Sequence, residues 1–179
     1  MQQEPTVVPD TKDWTWVLTR PCPECGLEAG AVAGADVGAM TRANAAAWQQ
    51  VLQRPDVRDR PAPGVWSPLE YACHVRDVYL IFDRRLAQML AEDDPQWSNW
   101  DQDETAVRER YGEQQPATVA GELAEAAEVV AARFDSVTGP QWDRPARRSD
   151  GASFTTLTFG RYFVHDWVHH LYDVGADRP

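Results

Sequence analysis

Histidine is the residue type in this sequence whose spacing most directly suggests chemistry. Three of the four histidines lie close together near the carboxyl end, at His165, His169 and His170. His165 and His169 are four positions apart, so on an α-helix they share one face and could place two imidazole nitrogens on one metal ion. His74 would supply a third ligand if its helix is a neighbour. The sequence therefore predicts a three-histidine metal site, and the alternative is that the imidazoles only form hydrogen bonds inside the fold.

The residues next to these ligands set further expectations. On a helix, His170 points about 100° away from its neighbour His169, so we expect it not to bind the same ion. Asp77 and Asp166 each lie within three positions of a predicted ligand and could orient an imidazole by hydrogen bonding. Imidazole serves both zinc and nickel, and zinc is the expected ion.

Four long helices are predicted to hold these residues, because apolar side chains recur every three to four positions. The second helix has the clearest start, with Ser67 as the cap, Pro68 at the first helical position and Glu70 completing a capping box. No convincing strand pattern is present. The fold class is therefore predicted to be all-α, a four-helix bundle, with helices at about residues 36–53, 67–91, 116–137 and 155–174.

The chain is predicted to divide into two parts. Residues 1–35 form an irregular N-terminal extension, and residues 36–179 form the bundle domain. The connection over residues 92–115 is long enough to suggest a function, and a short helix could form over 103–111. Within it, Trp97 and Trp100 could wall a substrate pocket, and the alternative, slightly favoured for either tryptophan alone, is packing of the loop against the bundle.

Three polar side chains beside the histidine pair are further candidates for ligand binding. Arg161 lies one turn before His165 and could bind a carboxylate, although an exposed arginine is the commoner case. Tyr162 and Tyr172 flank the pair and could donate hydrogen bonds to a bound group. Structural packing is the alternative for both tyrosines.

The three cysteines do not suggest a disulfide framework, because their number is odd. Cys22-Pro-Glu-Cys25-Gly resembles a zinc-knuckle turn, but a structural zinc site needs four ligands and no second Cys-x-x-Cys occurs. A redox pair, or a tight turn with two ordinary thiols, are the other interpretations. A speculative variant places this turn over the mouth of the bundle near the histidines. Cys73 is expected to be a small core residue.

The charge and hydropathy of the chain exclude some classes of function. The net charge of −11 repels phosphate backbones, so nucleic-acid binding is not expected. No apolar run approaches the roughly 18 residues that span a membrane. The first residues do not resemble a secretory signal, which predicts a cytoplasmic location. A homodimer is the default assembly for a small enzyme.

Two segments of the chain resemble a known family. Trp66–Asp77 and His165–His170 are similar to the two signature regions of the DinB/YfiT-like superfamily, in which a Trp-Ser/Thr helix start precedes a histidine and a later helix carries His-x3-His. The resemblance covers about residues 36–175. It implies a four-helix bundle that holds zinc or nickel with three histidines, corresponding to His74, His165 and His169.

The same resemblance implies a class of chemistry. The superfamily includes mycothiol-dependent maleylpyruvate isomerases and bacterial thiol S-transferases, in which a metal-bound thiolate attacks a small electrophile. All but one of the 17 basic residues are arginine, a bias typical of GC-rich actinobacterial genomes, where the thiol would be mycothiol. We therefore expect a thiol S-transferase, an isomerase or a thiol-assisted hydrolase. The alternative is a non-catalytic stress-response or binding protein with a structural or vestigial metal site.

Overall fold

The computed structural model describes Val7 and residues 12–178. The expectation about a secretory signal concerns the first ten residues, which apart from Val7 lie outside the described residues. Within the described part, the four predicted long helices are all present and a short fifth lies in the connection where one was expected. Their bounds are α1 Val37–Val51, α2 Pro68–Ala91, α3 Gln102–Arg108, α4 Pro116–Asp135 and α5 Thr156–Asp173.

The start of α2 shows how local residues determine a helix end. The Ser67 side chain accepts a hydrogen bond from the Glu70 amide, and the Glu70 carboxylate accepts one from the Ser67 amide at 2.8 Å. Pro68 occupies the first turn, where it costs no hydrogen bond. The carboxylate of Glu70 also accepts from Arg60 Nε at 2.9 Å. This end of α2 is therefore held firmly one turn before His74.

The bundle core lies between the four long helices. Helix α4 packs along both α1 and α2, and α5 packs against α1 and α2. The inward faces predicted from the periodicity meet in this core, which confirms the all-α four-helix fold class. Its largest fully buried side chains include Trp48, Tyr79, Leu86, Leu123, Phe134, Phe163, Trp167 and Leu171.

A small three-stranded sheet was not predicted. Its strands are β1 Gln96–Trp97, β2 Pro145–Arg148 and β3 Ser153–Thr155. β1 runs parallel to β2, and β2 pairs antiparallel with β3, with Ala146 opposite Phe154. Strands of two to four residues are too short to show an alternating pattern, and the Arg-rich composition of β2 favours a loop from sequence alone. The sheet ties the long connection after α2 to the segment that leads into α5.

Residues 12–35 of the N-terminal extension lie against α5. Three short 3-10 turns, Thr15–Leu18, Ala29–Ala31 and Gly34–Asp36, lead into α1, and all three contact α5. Between them the chain folds into the tight turn that contains both Cys22 and Cys25. Arg161 on α5 donates a hydrogen bond from Nε to the Val32 carbonyl oxygen at 2.9 Å, which fastens the extension to the bundle.

Among the residues that the structure describes, no helix is both long enough and apolar enough to cross a membrane.

Candidate metal centre

Helix α5 carries two pairs of potential ligands with the same four-residue spacing. One pair is His165 and His169, and the other is Asp166 and His170. The pairs are offset by one residue, which is about 100° around the helix, so they face different neighbours. This offset decides which other elements can complete a site with each pair.

The first pair faces the N-terminal extension. His165 and His169 lie with Cys22 and Cys25 so that one ligand atom from each residue falls within 4.8 Å of the others, and all four residues are buried. The Cys22 Sγ atom is 3.6 Å from His169 Nδ1. We call this group the Cys/His cluster.

The second pair faces α2. Asp166 and His170 form a group with His74 in which ligand atoms again lie within 4.8 Å of one another. The Asp166 Oδ1 atom is 3.6 Å from His74 Nε2 and 3.8 Å from His170 Nε2. We call this group the His/Asp/His cluster.

The structure therefore divides the predicted triad of His74, His165 and His169 between two clusters. His74 is grouped with Asp166 and His170, because the face of α5 turned towards α2 is the Asp166 face. From sequence, Asp166 is expected only to orient a ligand, and His170 is expected not to bind the same ion as His165 and His169. His170 is indeed not grouped with that pair, but it is placed to bind an ion with His74.

Unsatisfied buried atoms mark the His/Asp/His cluster as a place where a cation fits. Both ring nitrogens of His74 and the Oδ1 atom of Asp166 are buried without a hydrogen-bond partner among the described residues. Buried polar atoms without partners cost about 1–3 kcal/mol each. Nitrogen and oxygen ligands of one tetrahedral ion lie about 3.4 Å apart, close to the separations found here. A divalent ion bound by Nε2 of His74 and Oδ1 of Asp166, which lie 3.6 Å apart, would satisfy those two atoms.

Charge states at this cluster also suit a cation. Burial lowers the pKa of His74 below its ordinary value, so the imidazole is neutral and free to donate a lone pair. Burial raises the pKa of Asp166, but the His74 ring 3.6 Å away and the positive charge that His74, His170 and His165 carry when protonated outweigh this and hold it below the usual range. A neutral imidazole and a carboxylate are the forms that bind metal.

Asp173 orients the remaining ligand of this cluster. Its Oδ2 atom is 2.8 Å from Nδ1 of His170, which leaves Nε2 directed at Asp166. A carboxylate on the far nitrogen of a metal-binding histidine fixes the tautomer and raises the basicity of the ligand. Asp77, for which the sequence allows the same role, instead forms an ion pair with Arg76 at 2.9 Å and a hydrogen bond with Tyr111.

The Cys/His cluster has its own unsatisfied atom and shifted groups. His165 Nε2 is buried without a hydrogen-bond partner in the described part of the chain. Burial, with the nearby His169, lowers the pKa of His165 to about 4. Burial raises the pKa of the Cys25 thiol to about 11. Both cysteines are free thiols.

A cavity of about 1290 Å³ adjoins both clusters. Its wall includes the α5 residues of each cluster together with Trp14, Trp100, Arg148 and Tyr162. The ring of Trp100 is stacked on His74, with centroids 5.3 Å apart and planes within 4° of parallel. Arg148 Nη1 lies 3.4 Å from the Tyr162 hydroxyl. The cavity is large enough for a small polar ligand to reach the His/Asp/His cluster.

The other predicted binding residues divide between this cavity and the rest of the fold. Trp100 and Tyr162 line the cavity. Trp97 is buried and packs against Phe159 at 5.3 Å, so it belongs to the core. Arg161 is engaged with the N-terminal extension, and Tyr172 is half exposed with its ring 5.9 Å from that of His169.

The chain is similar in sequence to one family of proteins and in fold to a solved structure. A family model described as the DinB superfamily matches residues 38–173. Among solved structures, the chain is similar to YfiT from Bacillus subtilis, described as a probable metal-dependent hydrolase with an unusual four-helix bundle topology. That similarity has a TM-score of 0.69 at 16% sequence identity and covers 79% of this chain and 85% of that one. A search of curated proteins finds no match.

Proposed function

The chain belongs to the DinB superfamily, and from this premise we propose that it is a metal-dependent enzyme whose ion is held by His74, Asp166 and His170. The observation that carries the proposal is the set of buried, unsatisfied atoms on His74 and Asp166 beside the cavity. Of the predicted triad, His74 is the residue that binds this ion in the proposal, while His165 and His169 lie in the Cys/His cluster.

The number of protein ligands supports a catalytic rather than a structural role for this ion. Catalytic zinc sites use three protein ligands and leave a position open for water or substrate. The His/Asp/His cluster offers three ligands, and Asp166 and His170 both line the cavity. A ligand in the cavity can therefore approach the ion directly.

The proposed reaction is attack by a low-molecular-weight thiol, such as mycothiol, on a small electrophile. A divalent ion held by these three residues would supply one open position, where it would stabilise a bound thiolate. Transfer, isomerisation and thiol-assisted hydrolysis share this first step. Superfamily membership supports this class, and the arginine-rich composition supports mycothiol. The proposed ion is zinc, with nickel accepting the same ligands.

Residues around the ion have separable tasks in this proposal. Asp173 holds His170 in the tautomer that directs Nε2 to the ion. Trp100 covers His74 and keeps water away from it. Burial raises the pKa of Tyr162, so its hydroxyl stays protonated and can donate a hydrogen bond to a ligand in the cavity. Arg148 fixes the direction of that hydroxyl.

The test is to measure consumption of mycothiol and similar thiols with a panel of electrophiles, using wild type and His74→Ala. We expect turnover by the wild type that depends on metal, and loss of both turnover and one bound ion in His74→Ala. Glu128→Gln is the control, because Glu128 is an exposed residue paired with Arg42 on the α1–α4 surface. Wild-type protein that binds metal but consumes no thiol with any electrophile would instead favour a binding protein.

A further inference from the structure

We propose that Cys22, Cys25, His165 and His169 form a second, closed zinc site that fastens the N-terminal extension to α5. This site is separate from the ion of the proposed function, and neither proposal depends on the other. Two thiolates and two imidazoles are a ligand set typical of structural zinc. Their donor atoms lie within 4.8 Å of one another in this structure.

One separation between donor atoms in the cluster matches that expected around a single zinc ion. Sulfur and nitrogen ligands at the usual zinc distances and a tetrahedral angle lie about 3.6 Å apart. The Cys22 Sγ atom lies 3.6 Å from His169 Nδ1. His165 Nε2 is buried without a hydrogen-bond partner among the described residues. Binding an ion would give this nitrogen the partner that the surrounding protein does not supply.

The backbone of the cysteine turn is shaped to present both sulfurs to one point. The Cys22 amide donates to the Leu27 carbonyl oxygen at 2.9 Å, and the Gly26 amide donates to the Cys22 carbonyl oxygen at 2.8 Å. Gly26 has a φ of +70°, which glycine adopts without the steric cost of a side chain.

Carboxylates orient His169 from its far side. While Nδ1 faces Cys22, Nε2 lies 3.3 Å from Glu24 Oε2 and 3.6 Å from Asp173 Oδ1. Zinc ligands commonly donate their second ring nitrogen to a carboxylate in this way. Glu24 lies between Cys22 and Cys25 in the chain. The turn therefore supplies two ligands and also the carboxylate that orients His169.

The ligand set favours zinc over hard cations such as magnesium and calcium. Thiolates and imidazoles bind zinc strongly, whereas magnesium and calcium prefer oxygen ligands. Two thiolates also cancel the charge of a divalent ion, which lowers the cost of burying it. Four protein ligands leave no open position, so this ion would be structural.

A structural ion here would also shape the cavity. Trp14 packs on the His165 and His169 rings at centroid distances of 5.5 and 5.0 Å, and it forms part of the cavity wall. The extension carries Trp14, so fixing the extension on α5 fixes that part of the wall. Loss of the ion would loosen the wall without removing any residue of the His/Asp/His cluster.

Cobalt substitution tests the site through a signal that only a sulfur ligand produces. We expect wild type loaded with Co²⁺ to show thiolate-to-cobalt charge-transfer absorption, and Cys22→Ser and Cys25→Ser to reduce it strongly. The zinc content of each variant should fall by one ion per chain. Cys73→Ser is the matched control, because Cys73 is a buried thiol that contacts Tyr111 and Gln114 rather than the cluster. It should keep both the absorption and the zinc.

A second measurement does not require a cysteine variant to fold. In His74→Ala, which removes the other ion, X-ray absorption at the zinc edge should show sulfur neighbours at about 2.3 Å. Absence of sulfur around zinc, a Cys22–Cys25 disulfide in freshly purified protein, or unchanged cobalt absorption in Cys22→Ser would each overturn the proposal. Loss of thiol-consuming activity alone would bear on the proposed function and not on this site.

Discussion

The Nε2 atom of His74 lies 3.6 Å from the Oδ1 atom of Asp166, and neither atom has a hydrogen-bond partner in the described part of the chain. Two buried polar atoms this close, yet too far apart to bond each other, leave a space that suits a cation between them. His170 completes the group from one turn further along α5. This relationship connects the bundle packing to the proposed chemistry, because it exists only when α2 and α5 are neighbours.

Asp173 should influence metal binding at both clusters. Its two carboxylate oxygens approach His170 Nδ1 at 2.8 Å and His169 Nε2 at 3.6 Å. Removing an orienting partner of this kind typically weakens metal binding about 10–100-fold. We therefore expect Asp173→Asn to weaken binding of the His170 ion within that range and of the His169 ion by less, measured by competition with a chelator. Asp177→Asn, a change to an exposed carboxylate nearby, should leave both affinities unchanged.

The two tryptophans of the long connection should respond differently to substitution. Trp97→Ala removes a buried core side chain, so we expect it to lower the free energy of unfolding by about 3–5 kcal/mol. Trp100→Ala removes the ring that stacks on His74 in the cavity wall, and it should raise KM for the thiol with a smaller loss of stability. Thermal unfolding and steady-state kinetics on the two variants give the comparison. An unchanged KM in Trp100→Ala would contradict its placement at the binding site.

Much of this fold could be predicted from sequence because its signals are local. Caps such as Ser67 with Glu70, and apolar residues at helical spacing, determine each long helix within its own stretch of chain. The small sheet could not be predicted, since β1 and β2 pair residues about fifty positions apart through strands too short to show a pattern, as in Gln96 opposite Arg147.

The sequence pointed to candidate ligands, but it could not show how the fold groups them. His165–His169 and Asp166–His170 have the same spacing on α5, and the rotation of that helix against α2 decides which pair meets His74. That rotation is set by packing of the whole aliphatic face, not by the histidines. From sequence, the Cys-x-x-Cys turn offers only two of the four ligands of the proposed zinc site. The other two come from α5, and His169 lies 147 positions along the chain from Cys22.

The glycine in the cysteine turn should matter for its backbone conformation. Gly26 has a positive φ, and a side-chain carbon added there would make only an ordinary contact with Arg178 at 3.6 Å. Gly26→Ala should therefore lower the free energy of unfolding by about 1–2 kcal/mol through backbone strain alone. Gly121→Ala is the matched control, because it lies in α4 with nothing within 4 Å of an added side-chain carbon. It should stabilise the protein by about 1 kcal/mol, and equal effects in the two variants would refute backbone strain as the cause.

The capping carboxylate of α2 should give stability that depends on pH. Burial raises the pKa of Glu70, but hydrogen bonds from Arg60 and Ser67 outweigh this and leave it below the ordinary value of 4.5. Because the pKa is lower in the folded state, the charged carboxylate stabilises the fold above the unfolded pKa, and this stabilisation is lost as pH falls through the folded pKa. Glu70→Gln should cost about 1.5–3 kcal/mol at neutral pH.

The difference between wild type and Glu70→Gln should then shrink as the pH falls below about 4.5, the ordinary pKa of glutamate. Denaturant unfolding at several pH values measures it. A difference that stays constant down to acid pH would show that the charge of Glu70 is not what stabilises this helix end.

The most direct test of the central claim is anomalous diffraction at the metal edge from crystals of the metal-loaded protein. The account predicts a peak bonded to His74, Asp166 and His170, with an open position facing the cavity. A peak bonded to His74, His165 and His169 together, or no peak beside His74 in protein that contains stoichiometric metal, would contradict it.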